Sequence, residues 1–279
     1  MIRHTILVTT ALLGAGFASA GPLVVVSIPP QATLVERLAD DSVDVRTLLP
    51  PGASPATYAP GPRQVAELTT AKVWVRIGVP FERALVGRIH EIAPAVQIVV
   101  PPVGPAVQSD DHGHGSHDDP HVWLDPELLA AHAGAIADAL TELLPAEADA
   151  ISARLADLRT ELERLDRRIA ARLAPYAGRP VFVFHPAFGY FTRRYGLVQV
   201  AVEVEGGEPS PRHLAEMVER AEASGVRTVF VQPQVAGRGA VALAEAIGGH
   251  VEVLDPLAPD PVANLEDVAE AFETALGGR

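Results

Sequence analysis

The sequence predicts an α/β protein: two lobes with mainly parallel four-stranded sheets, joined by a long rigid helix. Three observations carry this. Short β-rich runs alternate with longer helical patterns, as strand–helix–strand crossovers require. Four such runs fall in each half of the chain. Between the halves, Ile151, Leu155, Leu158, Leu162, Leu165, Ile169 and Leu173 recur at spacings of three and four, with Arg, Asp and Glu on the other faces.

Residues 1–20 read as an export signal rather than as structure. Arg3 and His4 form a short polar start, residues 6–17 are apolar, and Ala18-Ser19-Ala20 is a small-residue cleavage site. The apolar run is too short to span a bilayer. Cleavage after Ala20 would leave a mature chain beginning at Gly21. Strands are then expected at 23–28, 43–49, 72–77 and 96–100, with helices at 31–40, 62–70, 81–92 and 126–143. Pro145 opens the central helix, Pro175 and Gly178 close it, and its span of 146–173 measures about 40 Å at 1.5 Å per residue. Strands at 181–184, 197–202, 227–231 and 250–254, with helices at 211–223, 236–247 and 262–276, repeat the scheme. The expected divisions are a signal (1–20), a first lobe (21–144) with a His-rich loop (109–119), a linking helix (145–175) and a second lobe (176–279).

Composition narrows the function. The chain has no cysteine, which removes disulfides, thiolate chemistry and any lipid-attachment cysteine. A soluble protein of the bacterial periplasm fits this best. The formal charge of −13 argues against nucleic acid and favours cationic ligands. Aromatic residues make up only 5%, against an aromatic-lined sugar site.

Ligands of open α/β sheets bind beyond the carboxyl ends of the strands. His185 follows the apolar run Val181-Phe182-Val183-Phe184, and Asp255 follows Val251-Glu252-Val253-Leu254. His121 lies in Asp-Pro-His-Val-Trp-Leu-Asp-Pro (119–126). Two imidazoles and a carboxylate suit a divalent transition metal such as zinc. Asp255-Pro256 reads equally as a turn or helix cap. His90, His132, His213 and His250 stand in no informative motif and read as structural. His112, His114 and His117 lie in a Ser/Asp/His/Gly tract whose composition suits a solvated loop with auxiliary metal affinity.

The chain resembles the cluster A-I metal-binding proteins of ABC transporters over essentially its whole mature length. The motifs, in order, are Leu49-Pro50-Pro51-Gly52-Ala53-Ser54-Pro55 with Tyr58, the His-rich tract, Asp119 to Pro126, and Phe184-His185 through Gly189-Tyr190-Phe191. They continue with Tyr195-Gly196-Leu197, Gly207-Glu208-Pro209-Ser210, Gln232-Pro233-Gln234 and Leu254-Asp255-Pro256-Leu257. Singly these are modest; together and in order they are specific. The resemblance implies one divalent ion held between the lobes by His121, His185 and Asp255. It further implies a monomer that delivers this ion to an ABC permease in the inner membrane, with no chemistry on the cargo. Zn²⁺ is the expected ion, with Mn²⁺ or Fe²⁺ as alternatives.

Three departures stand out. Ala56 occupies a position where the family commonly has His, Pro186 one where Asp is frequent, and Gln232 one where Glu is frequent. With Ala56 unable to coordinate, the fourth donor is expected from water, from His112, His114 or His117, or from Glu205. Two other readings remain: a binding protein for an organic ligand or metal chelate, and a hydrolase using an open His₂Asp centre. The chain has no His-Glu-x-x-His helix, which weighs against the hydrolase.

Overall fold

Buried valines build the first sheet of this computed structural model, which describes residues 21–100, 102, 104, 119–204, 206–235 and 237–277. β1 (Leu23–Val26) lies at its centre, flanked by β2 (Asp44–Thr47) and β3 (Val73–Val75), and β4 (Gln97–Val99) completes the order β2-β1-β3-β4. Every pairing is parallel, with Val24 opposite Val45 and Val25 opposite Trp74. Parallel strands need crossovers, and α1 (Pro29–Ala39), α2 (Pro62–Thr70) and α3 (Pro80–Ile92) supply them. Each of these helices starts on proline, which loses nothing at a first turn where the N–H has no partner anyway.

The second sheet repeats the design. β5 (Pro180–Val183), β6 (Val198–Ala201), β7 (Thr228–Val231) and β8 (His250–Val253) run parallel in the order β6-β5-β7-β8. The expected two-lobe α/β architecture is therefore the observed one. Every strand but β5 is shorter than its apolar run suggested, because the run continues past the ladder into the adjoining loops, and β5 keeps its length one residue earlier.

Between the sheets come α4 (Pro126–Leu143) and α5 (Ala148–Leu173), with 3-10 turns at Pro145–Glu147 and Ala174–Tyr176 extending the latter. Ile151, Leu158, Leu162, Leu165, Ile169 and Leu173 are buried as their spacing required. They pack on α1 and α4 of the first half and on α9 (Pro261–Gly277) of the second. One continuous apolar core therefore runs through both halves, from Val25 and Trp74 to Phe191 and Phe272. A smaller core lies under α7 (Pro211–Ser224) and α8 (Arg238–Ala246), around Phe182, Val200, Met217 and Leu243.

Sequence patterning carries no expectation for the 3-10 turn Val122–Leu124 or for α6 (Gly189–Arg194). Both are too short to generate a periodic signal. α6 nonetheless holds a cross-link. Arg194 pairs bidentately with Asp166 of α5 (2.7 Å to each oxygen) and reaches Asp125, the N-cap of α4, at 3.3 Å. Tyr195 also donates to Asp166, at 2.9 Å. The guanidinium holds the Asp166 carboxyl below its ordinary range, whereas burial raises that of Asp125 against the pull of Arg194 and two capping N–H groups.

Candidate metal site

The carboxyl ends of both sheets face one another across a cavity of about 330 Å³. From the first half it is lined by Ser54, Pro55, Ala56 and Thr57, which follow β2, by Val79 and Pro80 at the start of α3, and by Pro120, His121 and Trp123. The second half contributes His185, Glu203, Gly206, Gln232, Gln234, Val235, Pro256 and Leu257.

His121 and His185 meet in this cavity, their rings edge to face with centroids 5.4 Å apart. Each imidazole is held in the same way. Asp119 Oδ1 accepts both the backbone N–H of His121 (2.9 Å) and its Nδ1–H (2.7 Å), and Trp123 packs against the ring at 5.1 Å. Glu203 Oε1 accepts the Nδ1–H of His185 at 2.8 Å. An ionised carboxylate can only accept, so each neutral ring carries its proton on Nδ1 and keeps its lone pair on Nε2. This is how metal-binding histidines are usually oriented. The Glu203 side chain is only 6% exposed, so the Nδ1–H of His185 supplies a hydrogen bond that water would otherwise make.

Gln232 adds a second restraint on His185. Its side-chain oxygen accepts the His185 N–H (3.2 Å) and its amide donates to the His185 carbonyl (2.9 Å). A glutamate here could accept but not donate, so the amide fastens the ends of β5 and β7 together in a way a carboxylate could not.

Asp255 is placed differently. Its Oδ1 accepts the backbone N–H of Leu257 at 2.9 Å and the amide of Gln234 at 2.7 Å, which is the turn geometry that an Asp-Pro pair allows. Its neighbours Pro256 and Leu257 line the cavity, but Asp255 is not among the lining residues. Among the described residues, no three His, Cys, Asp or Glu side chains group closely enough to hold an ion by themselves. His112, His114, His117 and Glu205 lie outside the described residues, as does the signal segment. Tyr58 donates to Gln64 at 2.5 Å and stands edge-on to Phe81, a packing role outside the cavity lining. His132 is buried against Gln31 as a structural histidine.

The carboxylates Asp119 and Glu203 were not forecast as partners of the imidazoles. Glu203 lies just beyond the end of β6, the topological position that singled out His185 beyond β5, and that was the signal available for it. The pairing itself depends on how β6 lies beside β5.

Residues 24–275 match the family of the periplasmic zinc-uptake complex component A, ZnuA. The chain belongs to this family. Among its relatives is the high-affinity zinc uptake system protein ZnuA of Yersinia pestis, 30% identical over 92% of this chain and 89% of that one. A ZnuA crystal structure superposes with a TM-score of 0.83 at 36% identity, covering 92% of this chain and 99% of that one. A zinc-bound ZnuA deletion mutant gives 0.85 at 36% identity, over 93% and 99%. In this chain an alanine, Ala56, lines the wall of the cleft, and an amide, Gln232, backs His185.

Proposed function

We infer that this protein captures Zn²⁺ between its two halves and delivers it to an ABC permease for import. The observation that carries this is the pair His121 and His185, presented from opposite sides of one cleft with Nδ1 of each held by a carboxylate. Two imidazole nitrogens favour zinc over manganese, which prefers oxygen donors. The relatives' names point the same way: ZnuA of Yersinia pestis is a zinc uptake system protein.

The ion's protein ligands are His121 and His185, with Asp255 recruited if its carboxylate leaves Gln234 and Leu257. Sequence positions 21–144 and 176–279 act as lobes and 145–175 as the connecting spine. The apolar core they share along α5 opposes wide hinge opening, since separation would expose it to water. The protein acts as a periplasmic monomer, released from its signal after Ala20, and its permease lies in the inner membrane. No reaction is assigned to it: Asp119 and Glu203 each hold the Nδ1 proton of a histidine, the orienting role of carboxylates behind metal-binding imidazoles.

Zinc titration of the untagged mature protein tests this. One equivalent should bind, and His121→Ala and His185→Ala should each weaken binding at least 100-fold while deletion of 110–118 spares it. Unchanged zinc affinity in either histidine variant would remove the assignment.

A further inference from the structure

We propose that zinc enters this site already held by a small N,O-bidentate organic chelator with an apolar body, so that the cargo is a zinc–chelator complex rather than a bare ion. The inference rests on the zinc reading above and specifies the chemical form of its cargo. It starts from a shortage of donors. Closed zinc sites are four-coordinate, and His121 and His185 offer two Nε2 lone pairs. Among the described residues no third side chain joins them: no group of three His, Cys, Asp or Glu forms. One oxygen of each neighbouring carboxylate is already engaged, Asp119 Oδ1 and Glu203 Oε1 by the Nδ1 protons and Asp255 Oδ1 by Gln234 and Leu257.

The cavity is also larger than an ion alone fills. Zinc and its donors sit about 2 Å apart, whereas this cavity of about 330 Å³ falls within the roughly 300–1,000 Å³ range of small-molecule pockets. Part of its lining is apolar, with Pro55, Ala56, Val79 and Val235 suited to an organic body, and polar Thr57 and Gln234 lie on the same lining. Two neutral imidazoles leave the ion's double positive charge intact, so a chelator with one carboxylate would lower it without overfilling the coordination shell. A bidentate ligand supplies the two donors that the histidines do not.

Equilibrium dialysis of the mature protein against zinc, with and without pyridine-2-carboxylate (picolinate), gives effects of opposite sign. If the ternary complex forms, picolinate raises the zinc affinity at least tenfold and is itself retained at one equivalent per zinc. Ala56→Phe, filling the wall, should then abolish picolinate retention in a protein whose unfolding midpoint shows it to be folded. If the site accepts only the bare ion, picolinate competes for zinc and lowers its occupancy, which overturns the inference. Zinc affinity that ignores picolinate and falls when His112, His114 and His117 are replaced also overturns it, since the chain then supplies its own donors. Zinc retained under neither condition removes the zinc reading itself, an outcome distinct from failure of the chelate alone.

Discussion

The indole N–H of Trp123 donates to the backbone carbonyl of Pro256 at 2.7 Å, in a fully buried setting. This one bond ties the turn that follows His121 to the loop that follows β8, and so joins the two halves beside the metal cleft. Both segments line the cavity.

Trp123→Phe keeps an aromatic ring, though a smaller one, and removes the donor, leaving the Pro256 carbonyl buried and unpaired. The expected cost is about 1–3 kcal/mol of stability, read as a lower urea midpoint of the metal-free protein. Zinc affinity should fall with it, because His121 loses part of its anchorage. An unchanged midpoint would mean that the halves are held at this point by packing alone.

Glu203 orients His185 without touching the cargo. Glu203→Ala should weaken zinc binding by about 10–100-fold, the usual effect of removing a partner behind a metal-binding histidine. Glu203→Gln keeps an oxygen that can accept the Nδ1–H and should recover most of that loss. A purely structural role would make both variants unstable and leave the affinity of the folded fraction unchanged.

Ala56 lines the same cavity as both imidazoles. Ala56→His places a third imidazole on that wall, and bare zinc should bind at least tenfold more tightly in competition with a fluorescent chelator. Equal affinities for the variant and the natural protein would show that the chain already completes its own coordination shell.

His132 makes stability depend on pH. Its Nε2 accepts from the Gln31 amide at 3.0 Å, its Nδ1 has no hydrogen-bond partner among the described residues, and burial pushes its pKa down to about 4 from an ordinary 6.5. The unfolded chain therefore takes up this proton near pH 6.5 and the folded chain only near pH 4. The stabilisation from keeping this imidazole neutral is complete above pH 6.5 and is lost as pH falls from there to about 4, by on the order of 3 kcal/mol. His132→Leu should flatten that slope in urea titrations at pH 7 and pH 4.5. An equal slope in the variant would assign the acid sensitivity to other groups.

Much of this was written in the sequence. Apolar periodicity located the strands and the buried stripe of α5, because burial of one face imposes its period on the residues. Proline marked where helices begin, since its missing N–H is tolerated only there. His185 was found from its place beyond the end of an apolar run, and His121 from the Asp-Pro-His-Val-Trp-Leu-Asp-Pro motif around it. Short elements escaped: α6 and the turn at Val122–Leu124 contain too few residues to repeat a pattern.

The sequence by itself determined the two-sheet architecture, the central helix and the two imidazoles, because each depends on residues near one another in the chain. Asp119 serves His121 from two residues away, but only the tertiary structure decided which carboxylate serves His185. Glu203 meets His185 because β6 lies beside β5, and Asp255 turns to Gln234 and Leu257 rather than joining the cavity lining. Such pairings depend on strand order and on the angle at which loops leave the sheet. Both follow from packing across the whole core, which no local stretch of sequence encodes.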